Sequence, residues 1–96
     1  MTDKDNENLE TRVAIVGVIV ENTDSAEELN RVLHQYSQYI IGRMGIPYRQ
    51  RDVHIISVAV DAPETIITAL SGKLGKLPGV SVKTAYSGLI TTSGLD

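Results

Sequence analysis

Two stretches of this chain are apolar on both faces of an extended backbone, and that limits its fold more than any other feature. Arg12 to Val20 (RVAIVGVIV) is a nearly continuous apolar run, with Gly17 in its middle leaving room for a neighbouring backbone or side chain. Val53 to Val60 sets Val53, Ile55 and Ala59 on one face against Ile56, Val58 and Val60 on the other, because strand side chains alternate with period two. Strands of this kind are central in a sheet, with something covering each side. Arg49-Gln50-Arg51-Asp52 is a short polar run that suits a hairpin connection back to the segment before it. There, alternation places Ile40, Gly42, Met44, Ile46 and Tyr48 on one face and Ile41, Arg43, Gly45 and Pro47 on the other. Pro47 cannot donate a ladder hydrogen bond, so this segment is expected to be an edge strand or the end of one. Gly42 and Gly45 weaken it, and such glycines mark a bulge or a close backbone approach.

Helical spacing fills the gaps between the strands. Ala26, Leu29, Leu33, Tyr36 and Ile40 form one stripe, widened by Val32, while Glu27, Asn30, Arg31, His34 and Gln38 take the opposite face. Asp24 or Ser25 is placed to cap this helix, since Ser25 with Glu28 makes a capping-box pattern; the helix is expected to fade near Gln38. A second helix begins with Pro63 at its first position, behind Asp61-Ala62 as the cap region. It carries Ile67, Leu70, Leu74 and Leu77 inward and ends at Gly75, with Pro78-Gly79 as the following turn. Val80, Val82 and Thr84 then alternate with Ser81, Lys83 and Ala85 as a half-buried last strand.

The resulting order is strand, helix, strand, strand, helix, strand. It predicts an α+β ferredoxin-like βαββαβ sandwich, with an antiparallel sheet in the order 4-1-3-2 and both helices on one face. The domain covers residues 12–86, between a patternless acidic tail at 1–11 and a C-terminal tail at 87–96 where Leu89 and Ile90 could add a short edge segment. Two helices cover only one face, whereas both central strands are apolar on two. The bare face therefore predicts a homo-oligomer, a dimer or a dimer of dimers, or else a protein partner.

Composition excludes several chemistries. With no cysteine, disulfides, thiolate metal sites and a cysteine nucleophile are ruled out. No apolar run approaches the ~20 residues that span a bilayer, and the acidic start lacks a signal-peptide core, so the expected location is the cytoplasm, without a membrane role. Net charge is −3, divided as −6 over residues 1–30 and +3 over the remainder. Such asymmetry can guide self-association or dock an acidic partner, but it is not the basic stripe of a nucleic-acid binder. The chain is expected to bind no nucleic acid by itself.

No catalytic constellation is present, and no enzyme is expected. The glycines Gly42, Gly45, Gly72 and Gly75 lack the spacing and context of a phosphate loop. His34 lies on the polar helix face and His54 near the start of a central strand, as surface and rim histidines do; two histidines without cysteine cannot close a transition-metal site in one subunit without carboxylates. Neither a metal nor a cofactor is predicted. The most pointed cluster is Arg43, Arg49 and Arg51 with Tyr48. It can be read as an anion or carboxylate clamp, or as a solvated turn with an intersubunit salt bridge to the acidic first helix, and the balance favours the second. The Asn22–Ser25 turn could hold an anion at a helix start, although such turns mostly cap and Glu27 and Glu28 would repel the charge.

The segments RVAIVGVIVE (12–21), YIIGRMGIPYR (39–49), ISVAVDAP (56–63) and ITALSGKLGKLPGVSVKTA (67–85) resemble the small regulators of the iron-only (FeFe) hydrogenase system. The resemblance implies a ferredoxin-like fold related to ACT domains and to the C-terminal domain of the nickel-responsive repressor. It also implies a non-catalytic regulatory role. The repressor's His-rich metal site is not matched, and residues 1–11, short and acidic, are not expected to supply its ribbon-helix-helix domain. Two roles follow: a regulatory module that binds a small molecule or a hydrogenase-system protein, or a structural and interaction subunit that aids hydrogenase maturation without sensing a ligand. Any ligand or partner is expected around the edge strand, at Gly42, Arg43, Gly45, Tyr48 and Arg49.

Overall fold

The computed structural model describes residues 10–88. The elements run β1 (Arg12–Val20), α1 (Ala26–Gln35), β2 (Ile40–Tyr48), β3 (Val53–Ala62), α2 (Glu64–Gly75) and β4 (Val80–Tyr86). They form one four-stranded sheet in the order β2-β3-β1-β4, every neighbouring pair antiparallel. This is the ferredoxin-like α+β sandwich that the alternation predicts, with β1 and β3 in the centre and β2 at an edge.

Its core lies between the sheet and the helices. Val16, Val18 and Val20 of β1 and Val58 and Val60 of β3 are buried with Leu29 and Leu33 of α1 and Ile67, Leu70 and Leu74 of α2. Truncating one of these leucines to alanine costs about 2–5 kcal/mol, transfer and cavity terms together. At one end the turns are locked to each other: the Glu21 amide donates to the Gly79 carbonyl at 2.7 Å and the Ser25 hydroxyl to the Pro78 carbonyl at 2.6 Å. Gly79 has φ +70°, and a Cβ there would stand 2.6 Å from the Asn22 Cβ, so only glycine fits. At the other end Arg12 reaches the Ser87 carbonyl at 3.1 Å and Glu64 at 3.5 Å, with its guanidinium over the Tyr86 ring.

Several local expectations change. Ser25 makes no side-chain cap, because its buried hydroxyl is taken by Pro78; Asn22 Oδ1 instead accepts from the Asp24 amide and starts a 3-10 turn, Thr23–Ser25, ahead of α1. The helix stops at Gln35, followed by a second 3-10 turn, Ser37–Tyr39. Asp61 and Ala62 remain in β3, and Pro63 is itself the cap residue, its carbonyl accepting from the Ile66 and Ile67 amides. Leu77 lies in the turn after α2 while still packing on the core. The face assignment of β2 is also corrected. Ile40 pairs with Val60 but Gly42 with Ala59, so a bulge at this point reverses the alternation. Ile40 therefore turns to the helix side, whereas Gly42, Met44, Ile46 and Tyr48 share the open side. The acidic tail falls mostly on residues 1–9, and Leu89 and Ile90 on 89–96, all outside the described residues.

Candidate functional site

Beyond its first residue, β2 buries nothing on either face. Every residue from Ile41 to Tyr48 is exposed, including the helix-side positions Arg43, Gly45 and Pro47. The helices cover β1 and β3 and stop short of this edge.

On the open side the register lays side chains in rows across the sheet. Gly42, Ala59, Ile15 and Ala85 form one row; Met44, Ser57, Gly17 and Lys83 the next; Ile46, Ile55, Ile19 and Ser81 the third. The large apolar members are all exposed, from 39% at Ile55 to 60% at Met44. Lys83 is the one charge in these three rows. Among the described residues a Cβ at Gly42 would meet nothing within 4 Å, and one at Gly17 only the Lys83 carbonyl at an ordinary 3.5 Å, so their packing requires neither glycine.

On the helix side a groove runs between α1 and β2. Arg43 spans it with a hydrogen bond from Nη2 to Asn30 Oδ1 at 3.1 Å. To one side of that bond lies a hollow of about 200 Å³ among Val20, Leu29, Gly45, His54 and Ile56. To the other side Leu33, His34, Ser37 and Ile40 border one of about 300 Å³. Among the described residues no carboxylate lines either hollow. On α1, Glu28 pairs with Arg31 at 3.4 Å.

The edge-strand residues expected to form a site thus share one strand and its turn but not one face. Arg43 and Gly45 lie on the groove, and Gly42 and Tyr48 on the open side. Arg49 sits in the 3-10 turn Arg49–Arg51, bordering a hollow of about 210 Å³ at the hairpin tip with Thr23, Tyr48, Asp52 and His54. Arg51 borders a separate hollow with Ile19 and Glu21. Asn30, Ile56 and Leu29 were not legible as groove residues, because the groove depends on how far α1 reaches over the sheet. His34 is exposed and His54 half-buried, and neither has a side-chain hydrogen bond among the described residues. No group of three or more His, Cys, Asp or Glu among the described residues could hold a metal, and no helix there is long and apolar enough to cross a membrane.

Three comparisons bear on identity. Residues 12–84 match the model of the TM1266-like family, described as "Iron-only hydrogenase system regulator, putative". Among solved structures, the uncharacterized protein TM1266 from Thermotoga maritima superposes with a TM-score of 0.77 at 36% identity, over 80% of this chain and 98% of that one. A formyltetrahydrofolate deformylase from Pseudomonas putida KT2440 (TM-score 0.56, 14% identity, 76% of this chain and 28% of that one) is similar in fold alone. So is an unknown protein from Galdieria sulphuraria (TM-score 0.56, 17% identity, 85% and 48%). No curated protein matches the chain.

Proposed function

We propose, from the premise that this chain belongs to the TM1266-like family of iron-only hydrogenase system regulators, that it is a cytoplasmic, non-catalytic regulatory module that works as a homo-oligomer. It binds a small molecule or a protein of the hydrogenase system along β2, through Gly42, Arg43, Gly45, Tyr48 and Arg49, much as ACT-like modules couple a sheet to an effector. The observation that carries this reading is the apolar open face of the sheet. Four strands about 4.8 Å apart, with some seven residues rising about 3.3 Å each, span roughly 400 Å² in projection. Monomers rarely expose contiguous apolar patches larger than a few hundred Å², and a stable interface buries about 800 Å² of accessible surface per partner. A second copy supplies a matching face by two-fold symmetry.

Glycines at 17 and 42 that no packing among the described residues demands support close approach by another molecule. The free edge of β2 also leaves backbone groups available to a peptide strand, which favours the second reading, an interaction subunit that aids maturation without sensing a ligand. The net charge of −3 supports action without DNA contact, since phosphate neutralisation drives such binding.

Light scattering at micromolar concentration tests the assembly. A dimer or tetramer mass is expected, falling to the monomer on Ala59→Glu or Ile55→Glu; a monomer mass for the unmodified chain overturns it. Recovery of hydrogenase maturation proteins with the chain, with no melting shift from any small molecule, favours the interaction subunit over the sensor.

A further inference from the structure

The groove between α1 and β2 narrows the chemistry of the ligand. Gly45 forms part of its floor, and a Cβ there would meet no atom within 4 Å. Its backbone does not require glycine either, because Gly79 is the only glycine with positive φ among the described residues. Glycine weakens a strand, so what Gly45 leaves is free volume above the sheet. That volume is apolar, walled by Val20, Leu29 and Ile56. Asn30 borders this hollow and the neighbouring one, and there it accepts from Arg43, whose guanidinium carries five donors and makes this one hydrogen bond among the described residues. Among the described residues no carboxylate lines either adjoining hollow. A guanidinium with open donors next to a largely apolar hollow favours a carboxylate that carries an apolar body. The hollow that Arg43 borders, about 300 Å³, is at the lower end of ordinary small-molecule sites, and the one over Gly45, about 200 Å³, adjoins it at Asn30.

We infer that this groove binds a small organic acid, its carboxylate held by Arg43 and Asn30 and its apolar body lying over Gly45 against Leu29 and Ile56. The inference rests on the reading of the chain as a ligand-binding module and gives that ligand a class. Arg43 and Gly45 face the helix side of β2, so assembly through the opposite sheet face leaves the groove open.

Titration of the ¹⁵N-labelled full chain with hexanoate, hexanamide and acetate, followed by amide shifts, tests it. Hexanoate is expected to shift Gly45, Asn30 and Ile56 saturably, with hexanamide and acetate each about tenfold weaker or worse, as loss of a charged hydrogen bond or of apolar contact dictates. Arg43→Gln should bring hexanoate down to the level of hexanamide. Gly45→Val, a good strand residue building into open space, should keep the spectrum dispersed and abolish both. Equal affinity for acid and amide, shifts confined to the open sheet face, or binding that survives Gly45→Val each overturn the proposal. Mass is read on the same sample: silence toward hexanoate from an intact oligomer removes the organic-acid site alone, whereas a monomer mass removes the assembly.

Discussion

β1 and β2 are both nine residues long and run parallel with β3 between them, yet they lead opposite lives. β1 buries every second side chain almost completely, with Val16 at 0% exposure, while β2 past Ile40 buries none. Hydrophobicity does not separate them, since Ile41, Met44 and Ile46 are as apolar as the valines of β1. What differs is the helix-side face. There β1 offers Ala14, Val16, Val18 and Val20, and β2 offers Arg43, Gly45 and Pro47. The fold is held by the first set, and the second leaves a groove that the helices do not fill.

A charge placed on each strand tests this division with the largest expected effect. Val18→Asp puts an unpaired carboxylate among Leu and Val side chains and should cost more than about 4 kcal/mol in urea unfolding. Met44→Asp should cost within about 0.5 kcal/mol in the dilute monomer, its penalty appearing instead as loss of assembly. Similar unfolding costs for both would mean that β2 is part of the folding core and the division is false.

The same logic explains what could be read from the residues. β1 and β3 announce themselves as runs apolar on both faces and the two helices by their period of 3.6, and their order leaves the ferredoxin-like sheet as the consistent arrangement. Failures came where distant chain segments decide. Ser25 and Glu28 have capping-box spacing, but Pro78, 53 residues away, takes the hydroxyl. The glycines of β2 signalled a bulge, but not that it would fall at Ile40/Gly42 and reverse the faces. Arg43 was visible as a cation between glycines, whereas its partner Asn30 meets it only through packing of α1 on the sheet.

Intermediate effects belong to the locked turns, which should behave like β1. Gly79→Ala forces a Cβ into the left-handed region and against Asn22, at a cost of about 1–3 kcal/mol. Ser25→Ala removes the hydrogen bond to Pro78 and should cost about 1 kcal/mol. Both are read from shifts in the denaturation midpoint at constant slope. A neutral Gly79→Ala would show that the turn relaxes and that the scaffold is looser at this end than its contacts indicate.

The smallest stability effect is expected at Arg43, and it sharpens the comparison most. Its bond to Asn30 is exposed, and surface contacts of this kind contribute little because water replaces them at small net cost. Arg43→Ala should therefore move unfolding by no more than about 0.5 kcal/mol and leave the oligomer mass unchanged. Binding of an organic acid should nevertheless fall about tenfold, since the lost donors are the charged ones. A fall in mass with binding intact would make Arg43 an interface residue that joins subunits. A destabilisation above about 1 kcal/mol would make it a strut between α1 and β2, and β2 would then belong with β1. Only the first pattern, a silent scaffold with weakened binding, fits an edge strand freed from folding and kept for recognition.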